Sequence, residues 1–256
     1  MVSLYLIVAL FGALIGSFLN VCIYRLPRRE SVAWPGSHCP SCSHQIAWYD
    51  NIPIVSYVIL LGRCRNCSVR IPLRYPIVEA LNTLGFVGLL WFFGPSWSTA
   101  VYGLLYSALL VVAGTDLSHK IIPNVVTFPG IVVGLVSAAT ILPLGLVDSL
   151  IGLLVGGGIL WFLAWISPYL FGKEGMGGGD IKLLAMIGAF LGWKPALITI
   201  MMGSFLGSLV GVSLIAARVI KREDYIPFGP FLVVGAVVTL FFGQSILDWY
   251  LGLLAG

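Results

Sequence analysis

The chain has 256 residues, of which 59% are hydrophobic and only 9% are charged. Soluble domains carry about 25% charged residues. The composition therefore excludes a soluble globular protein and predicts a protein embedded in a lipid membrane. The formal net charge is +4, but no basic stripe with interleaved aromatic residues accompanies it. We therefore predict the lipid bilayer as a partner and no nucleic acid.

Apolar runs of membrane-spanning length recur along the chain, since a transmembrane helix needs roughly 17–25 residues. They predict an all-α polytopic membrane protein with about eight transmembrane helices. The sixth run is short and contains glycine, which predicts a helix that is tilted or partly embedded in protein. The runs cover about residues 4–24, 77–93, 98–115, 123–142, 146–166, 181–193, 196–217 and 228–249.

Basic residues are concentrated in alternate loops. With eight spans and both termini outside, all but one of the 14 basic residues fall in the predicted cytoplasmic segments, and Lys194 is the exception. The positive-inside rule therefore predicts this orientation. The predicted cytoplasmic segments are residues 25–76, 116–122, 167–182 and 218–227. Their basic residues are Arg25, Arg28, Arg29, Arg63, Arg65, Arg70, Arg74, Lys120, Lys173, Lys182, Arg218, Lys221 and Arg222.

Glycine has two different uses in this sequence. In several spans it repeats at four-residue spacing, which predicts close packing of helix backbones in lipid. Residues 175–179 instead form a glycine-rich segment before a helix, which brings flexible backbone close to a site or is a simple linker. The spaced sets are Gly12 and Gly16, Gly130 and Gly134, Gly152 and Gly156, and Gly203, Gly207 and Gly211.

Residues 25–76 form the only long polar loop, and this loop carries two Cys-x2-Cys pairs. Two such pairs at this separation predict a structural zinc site of four thiolates, with reduced thiols as the alternative. A cytoplasmic location disfavours disulfides. His38 and His44 are near enough in sequence to replace one thiolate. The four cysteines are Cys39, Cys42, Cys64 and Cys67.

The same loop contains an apolar run over residues 52–62. At 11 residues it is too short to cross a bilayer. Two placements are open for it: packing on the cysteine pairs, or lying against the membrane face.

Two aspartates, Asp116 and Asp180, lie at junctions between a polar loop and an apolar run. Such a carboxylate costs a few kcal/mol unless it faces a wet cavity or a partner. Asp180 begins a span and could cap its helix, but Asp116 ends one, where the helix dipole opposes a negative charge. If the two side chains meet, they share a single proton and supply a general base and a general acid for peptide hydrolysis.

Glu79 and Asn82 enter the second predicted span one helical turn apart. Polar groups buried there need partners. They either hold helices together or form part of a second site.

Several motifs, taken in order, resemble the bacterial type IV prepilin peptidases, also called prepilin leader peptidase/N-methyltransferases, which are membrane aspartic proteases of the GxGD class. The resemblance extends over almost the whole chain. The motifs are GSFLNV at residues 16–21, YRLP at 24–27, the two cysteine pairs, RYPIVE at 74–79, DL at 116–117, IIPN at 121–124, GGGDIKL at 177–183 and IPFGP at 226–230.

The resemblance implies an inner-membrane enzyme that removes the leader from prepilins or type II secretion pseudopilins, with Asp116 and Asp180 as the catalytic pair. It also implies N-methylation of the new terminus with S-adenosylmethionine, and it links Glu79 and the cysteine loop to that step. We expect the glycine-rich segment to let an extended peptide approach the aspartates. The substrate-proximal candidates are Gly177, Gly178, Gly179 and Lys182.

These observations predict three parts: a first transmembrane helix (1–24), a cytoplasmic loop with the tetracysteine site (25–76) and a peptidase bundle (77–256). Two other classes of protein remain as alternatives. One is a transporter that uses the aspartate pair as a proton or cation relay, although transport sites usually lie near the midplane. The other is a non-catalytic scaffold whose zinc loop recruits a partner. The sequence does not indicate which oligomeric state the protein adopts.

Overall fold

The computed structural model describes residues 2–171, 177–221 and 226–255, and over these ranges the secondary structure is helical apart from isolated β-bridges. The predicted all-α class is therefore confirmed. Part of the predicted glycine-rich segment, Gly175 and Met176, lies outside the described residues, as do the basic residues Lys173 and Arg222.

Each of the eight predicted apolar runs corresponds to a helix, and one further short helix lies in the polar loop. In the described part of the chain, six helices are long and apolar enough to cross a membrane: α1, α3, α4, α6, α8 and α9. The helices are α1 Val2–Arg25, α2 Val55–Ile59, α3 Arg74–Phe93, α4 Trp97–His119, α5 Asn124–Thr140, α6 Leu146–Phe171, α7 Gly178–Leu191, α8 Trp193–Ala216 and α9 Gly229–Ala255.

The chain divides into two compact units, Met1–Val111 and Val112–Gly256. In the first unit, α1 packs along α3. A side chain at Gly16 would place its Cβ 2.8 Å from the Cα of Glu79, so only glycine permits this approach. The buried Asn82 amide donates to the carbonyl oxygen of Gly12 at 2.7 Å and accepts from the hydroxyl of Ser107 at 3.0 Å. Asn82 therefore holds helices together, one of the two roles considered for it.

The second unit is built around α7, which packs against α5, α6, α8 and α9. Leu183, Leu184 and Met186 have no exposed surface. A Cβ at Gly188 would lie 2.0 Å from the carbonyl oxygen of Gly152 on α6, so the two helix backbones touch. Because protein surrounds it, α7 does not need the length of a lipid-facing span. The prediction of a helix partly embedded in protein is confirmed.

Candidate active site and metal centre

Both aspartates lie in the second unit and both are buried, with Asp116 only 3% and Asp180 only 4% exposed. Asp116 is in the last turn of α4, and Asp180 is in the first turn of α7. The two carboxyl groups are close enough for the charge of Asp116 to act on Asp180. The fold thus brings together the two residues that the sequence singled out.

Asp116 has a partner that is distant in sequence. The backbone N–H of Gly229, at the start of α9, donates to Oδ2 of Asp116 at 3.1 Å. A Cβ at residue 229 would lie 2.6 Å from the same oxygen, so the approach depends on glycine. The N-terminal end of a helix carries partial positive charge, and the donor therefore favours the ionised form of this carboxylate.

Asp180 has the opposite environment. Its Oδ1 is buried and has no hydrogen-bond partner within the described ranges. Capping of the α7 N-terminus does not account for that oxygen. A buried ionised oxygen without a donor is costly, and the protonated form costs much less.

The two aspartates line one cleft of about 340 Å³ in the second unit. Its wall combines the turn after α4, the start of α5 and the beginning of α7. The lining residues are Asp116, Lys120, Ile121, Ile122, Pro123, Asn124, Gly177, Gly179, Asp180 and Lys182.

Three of the four predicted substrate-proximal residues line this cleft: Gly177, Gly179 and Lys182. Gly178 does not, and a Cβ added there would meet no atom within 4 Å. The ammonium group of Lys182 donates to Oδ1 of Asn124. It thereby joins the start of α7 to the start of α5.

Sequence reasoning assigned no role to Asn124 or Gly229. Asn124 opens α5 directly after Pro123, and Gly229 opens α9 directly before Pro230. Proline next to a helix start is a recognisable signal for the first turn. That signal locates the two helix ends, but it does not reveal that they approach the aspartates.

The four cysteines of the loop form one cluster, with all Sγ atoms within 4.8 Å of one another. The Sγ atoms of Cys39 and Cys67 are 3.8 Å apart. Tetrahedral zinc with Zn–S bonds of about 2.3 Å requires sulfurs about 3.8 Å apart, so the donor set fits such an ion. His38 and His44 are not members of the cluster.

The two cysteine turns are built alike. Cys39 N–H donates to the carbonyl of His44, and Ser43 N–H returns a bond to Cys39, both at 2.9 Å. In the second turn, Cys64 and Ser68 make the equivalent bonds at the same distances. Each turn is thus closed by its own backbone hydrogen bonds.

Backbone amides of these turns also point at sulfur. The N–H of His44, followed by the side chain of Asn66, lowers the pKa of the Cys42 thiol to about 6. The backbone N–H groups of Cys67 and Asn66 lower the pKa of the Cys64 thiol. Thiolates are the form that binds metal, so the sulfurs of Cys42 and Cys64 are suited to bind an ion.

Glu79 lies in the first unit and is buried on α3. Its Oε2 accepts a 2.7 Å hydrogen bond from the backbone N–H of Ile54 in the cysteine loop, and Ser17 on α1 is a second partner. Ile54 has φ of 61°, a strained value for a β-branched residue. The carboxylate therefore holds the loop against α3.

The fold and the cleft together define a polytopic helical membrane protein with two buried aspartates in one cleft, an arrangement suited to acid/base hydrolysis. Comparison with known proteins agrees with this class. Residues 10–93 match the family model described as the bacterial peptidase A24 N-terminal domain. Residues 103–212 match the model of the type IV leader peptidase family.

Curated relatives match over nearly the full chain, and each is named prepilin leader peptidase/N-methyltransferase. The protein from Pseudomonas aeruginosa is 37% identical over 94% of this chain and 91% of its own length. Those from Aeromonas hydrophila (38%; 96% and 93%) and Xanthomonas campestris (36%; 94% and 92%) are similar. No solved structure matches. The chain belongs to the type IV leader peptidase family.

Proposed function

We propose that this protein is a bifunctional enzyme that cleaves the leader from type IV prepilins or type II secretion pseudopilins and N-methylates the new terminus. The observation that carries the proposal is the meeting of Asp116 and Asp180 in one cleft. The two residues line this cleft in a chain that matches 91% of the length of a relative named as a peptidase and methyltransferase.

The environments of the two aspartates give each a role. Asp116, which accepts the N–H of Gly229, acts as the general base. Asp180, whose Oδ1 is buried with no donor in the part of the chain that the structure describes, acts as the general acid. This division follows the rule that neighbouring carboxyl groups with different surroundings divide acid and base work.

Cleavage then proceeds without a covalent intermediate. Asp116 takes a proton from a water molecule as the oxygen attacks the scissile carbonyl, and Asp180 donates its proton to the carbonyl oxygen. The tetrahedral gem-diol intermediate collapses and the C–N bond breaks as the proton held by Asp116 passes to the leaving amine. One hydroxyl of the gem-diol returns its proton to Asp180 as the new carboxyl group forms, which restores the starting state of the pair.

Gly177 and Gly179 form the part of the cleft wall from which an extended peptide approaches. Lys182 orders the opposite wall through Asn124. A prepilin offers an apolar helix behind a basic leader, and the positive-inside rule keeps that leader cytoplasmic. We accordingly orient the protein with both termini outside and the cleft at the cytoplasmic face of the inner membrane, a placement supported by the basic loops.

We assign zinc to the tetracysteine cluster as a structural ion. The sulfur spacing supports this choice, as does the stabilisation of the Cys42 and Cys64 thiolates. The division of the chain into residues 1–24, 25–76 and 77–256 stays a prediction.

The methyl donor implied by the relatives' name is S-adenosylmethionine, which supplies an electrophilic methyl group on a sulfonium. Glu79 is the one buried carboxylate that the structure describes in the first unit, and a carboxylate is suited to pair with a sulfonium or with an incoming α-ammonium. Its bond to Ile54 also makes it the residue that positions the loop. We propose both contributions for Glu79.

The transporter alternative is not favoured, because the relatives that match over the full chain are named as peptidases and methyltransferases. The scaffold alternative leaves the buried aspartate pair without a use.

The decisive experiment incubates the purified protein with a prepilin, with and without S-adenosylmethionine, and measures the mass of the product. Loss of the leader mass reports the peptidase. An added methyl mass, seen only with the methyl donor, reports the transferase. An unchanged prepilin would contradict the proposal.

A further inference from the structure

The short helix α2 in the cysteine loop buries its serine and exposes its apolar side chains. Its polar residue Ser56 is buried, at 7% exposure, whereas Val58 and Ile59 are 65% and 69% exposed. Val55, one turn before them on the same face, is also exposed. In a water-soluble loop, the apolar face would be covered and the serine would point outward.

The inward orientation of Ser56 is fixed by hydrogen bonds. Its hydroxyl donates to the carbonyl of Tyr49 at 2.9 Å and accepts from the N–H of Ile52 at 3.1 Å. These bonds tie α2 to the preceding turn, Trp48–Asn51. The apolar residues are therefore held outward by the fold of the segment.

The segment is attached to α3 and to the residues just before it. Ile54 N–H reaches the carboxylate of Glu79, and the hydroxyl of Tyr57 donates to the carbonyl of Ile71 at 3.4 Å. Glu79 is five residues into α3, or about 7.5 Å along its axis. The segment thus sits at the end of a membrane-spanning helix.

The residues flanking α2 have the composition of a membrane interface. Trp48 and Leu61 are 81% and 84% exposed. Arg63 and Arg70 face each other across an isolated bridge, and both are exposed. Tryptophan belongs at the headgroup level, and exposed arginines attract anionic lipid.

We propose that residues 48–61 lie in the headgroup region of the bilayer, with Val55, Val58 and Ile59 against the acyl chains and Arg63 and Arg70 at lipid phosphates. The occupant of the apolar face is lipid because both ends of the loop are tethered to membrane helices, α1 and α3. Because Glu79 holds the segment to α3, the exposed face meets the bilayer that surrounds that same helix.

The test uses the full-length protein in nanodiscs of phosphatidylethanolamine and phosphatidylglycerol, with the photocrosslinking amino acid p-benzoylphenylalanine in place of Val58. We expect a lipid adduct by mass spectrometry. The same substitution at Phe162, an exposed residue of the spanning helix α6, is the positive control. If that control reacts with lipid, capture of a second protein chain at residue 58, or no adduct there, overturns the proposal.

A second measurement uses Trp48, whose emission is obtained as the difference between the unmodified protein and Trp48→Phe. We expect bromine placed near the headgroup end of the lipid chains to cause a larger loss of this emission than aqueous iodide does. A larger loss with iodide overturns the proposal. Neither measurement depends on peptidase activity, so the outcome is separate from that of the proposed function.

Discussion

The cysteine cluster and the aspartate cleft are assembled in opposite ways. Each half of the cluster is a turn closed by its own backbone bonds, with both cysteines inside it. The cleft draws Asp116 from the end of α4 and Asp180 from the start of α7, and Gly229 reaches Asp116 from 113 residues away. Each half of the cysteine cluster is formed by residues close together in sequence, whereas the two aspartates come together only when the helices pack.

The two sites also handle charge differently. Thiolates in the cluster are supported by backbone N–H groups and are suited to share one cation. In the aspartate pair, the Asp116 carboxylate accepts the N–H at the start of α9. Oδ1 of Asp180 is buried with no donor among the residues that the structure describes. The two aspartates therefore differ in their surroundings, whereas the two cysteine turns share one pattern of backbone hydrogen bonds.

The largest expected effect comes from removing either carboxylate. Asp116→Asn or Asp180→Asn should lower leader cleavage by at least about 1,000-fold, because each removes one proton-transfer group. The measurement is the mass of the processed prepilin, with membrane insertion verified. Methylation of an already leaderless pilin by the same variants is the control and should persist. Normal leader removal by either variant would contradict the paired roles.

Replacing a cysteine of the cluster should cause the protein to lose its bound metal. Cys42→Ser and Cys67→Ser should each reduce bound zinc from about one equivalent per chain toward zero and unfold the loop locally, as seen by limited proteolysis. Cys22→Ser is the matched control, since this buried cysteine of α1 lies outside the cluster. Intact protein that contains no stoichiometric zinc in a metal assay would overturn the assignment.

A substitution at Gly229 tests whether the distant helix end matters to the cleft. Gly229→Ala forces Asp116 to move, and a misplacement of about 1 Å can cost about 100-fold in rate. We expect kcat for leader cleavage to fall with KM unchanged. Gly252→Ala in the same helix, where a Cβ meets nothing within 4 Å, should behave as the unmodified protein. Equal activity of the two variants would remove Gly229 from the site.

The smallest expected effect on leader cleavage is the difference between substitutions at the neighbouring residues Gly178 and Gly179. A Cβ at Gly179 would lie 2.9 Å from the Cβ of Ile122 in the cleft wall, so Gly179→Ala should reduce cleavage by about 10-fold. Gly178→Ala meets open space and should change little. Steady-state rates for the pair decide the point, and a larger loss at Gly178 would show that the segment acts through flexibility.

The two sites also differ in how far the sequence predicts them. Cys39, Cys42, Cys64 and Cys67 were predicted as one cluster because metal-ligand spacing is local. The cost of a charge at the end of an apolar run indicates Asp116 and Asp180 as functional candidates. The sequence does not predict that the two side chains lie close together. Gly229 and Asn124 gave no signal of their own, since a glycine or asparagine at a helix start has many ordinary uses.

The sequence by itself determined the lipid-embedded class, the positions of eight of the nine α-helices in the described residues and the polar residues proposed for chemistry, because hydropathy, charge and spacing are read directly from the chain. Only the tertiary structure decided that α7 is enclosed by other helices, that Glu79 holds Ile54, and that the start of α9 reaches Asp116. Each of these depends on partners far away in sequence. Burial and hydrogen bonding between such partners are set by how helices pack, which no single stretch of sequence specifies.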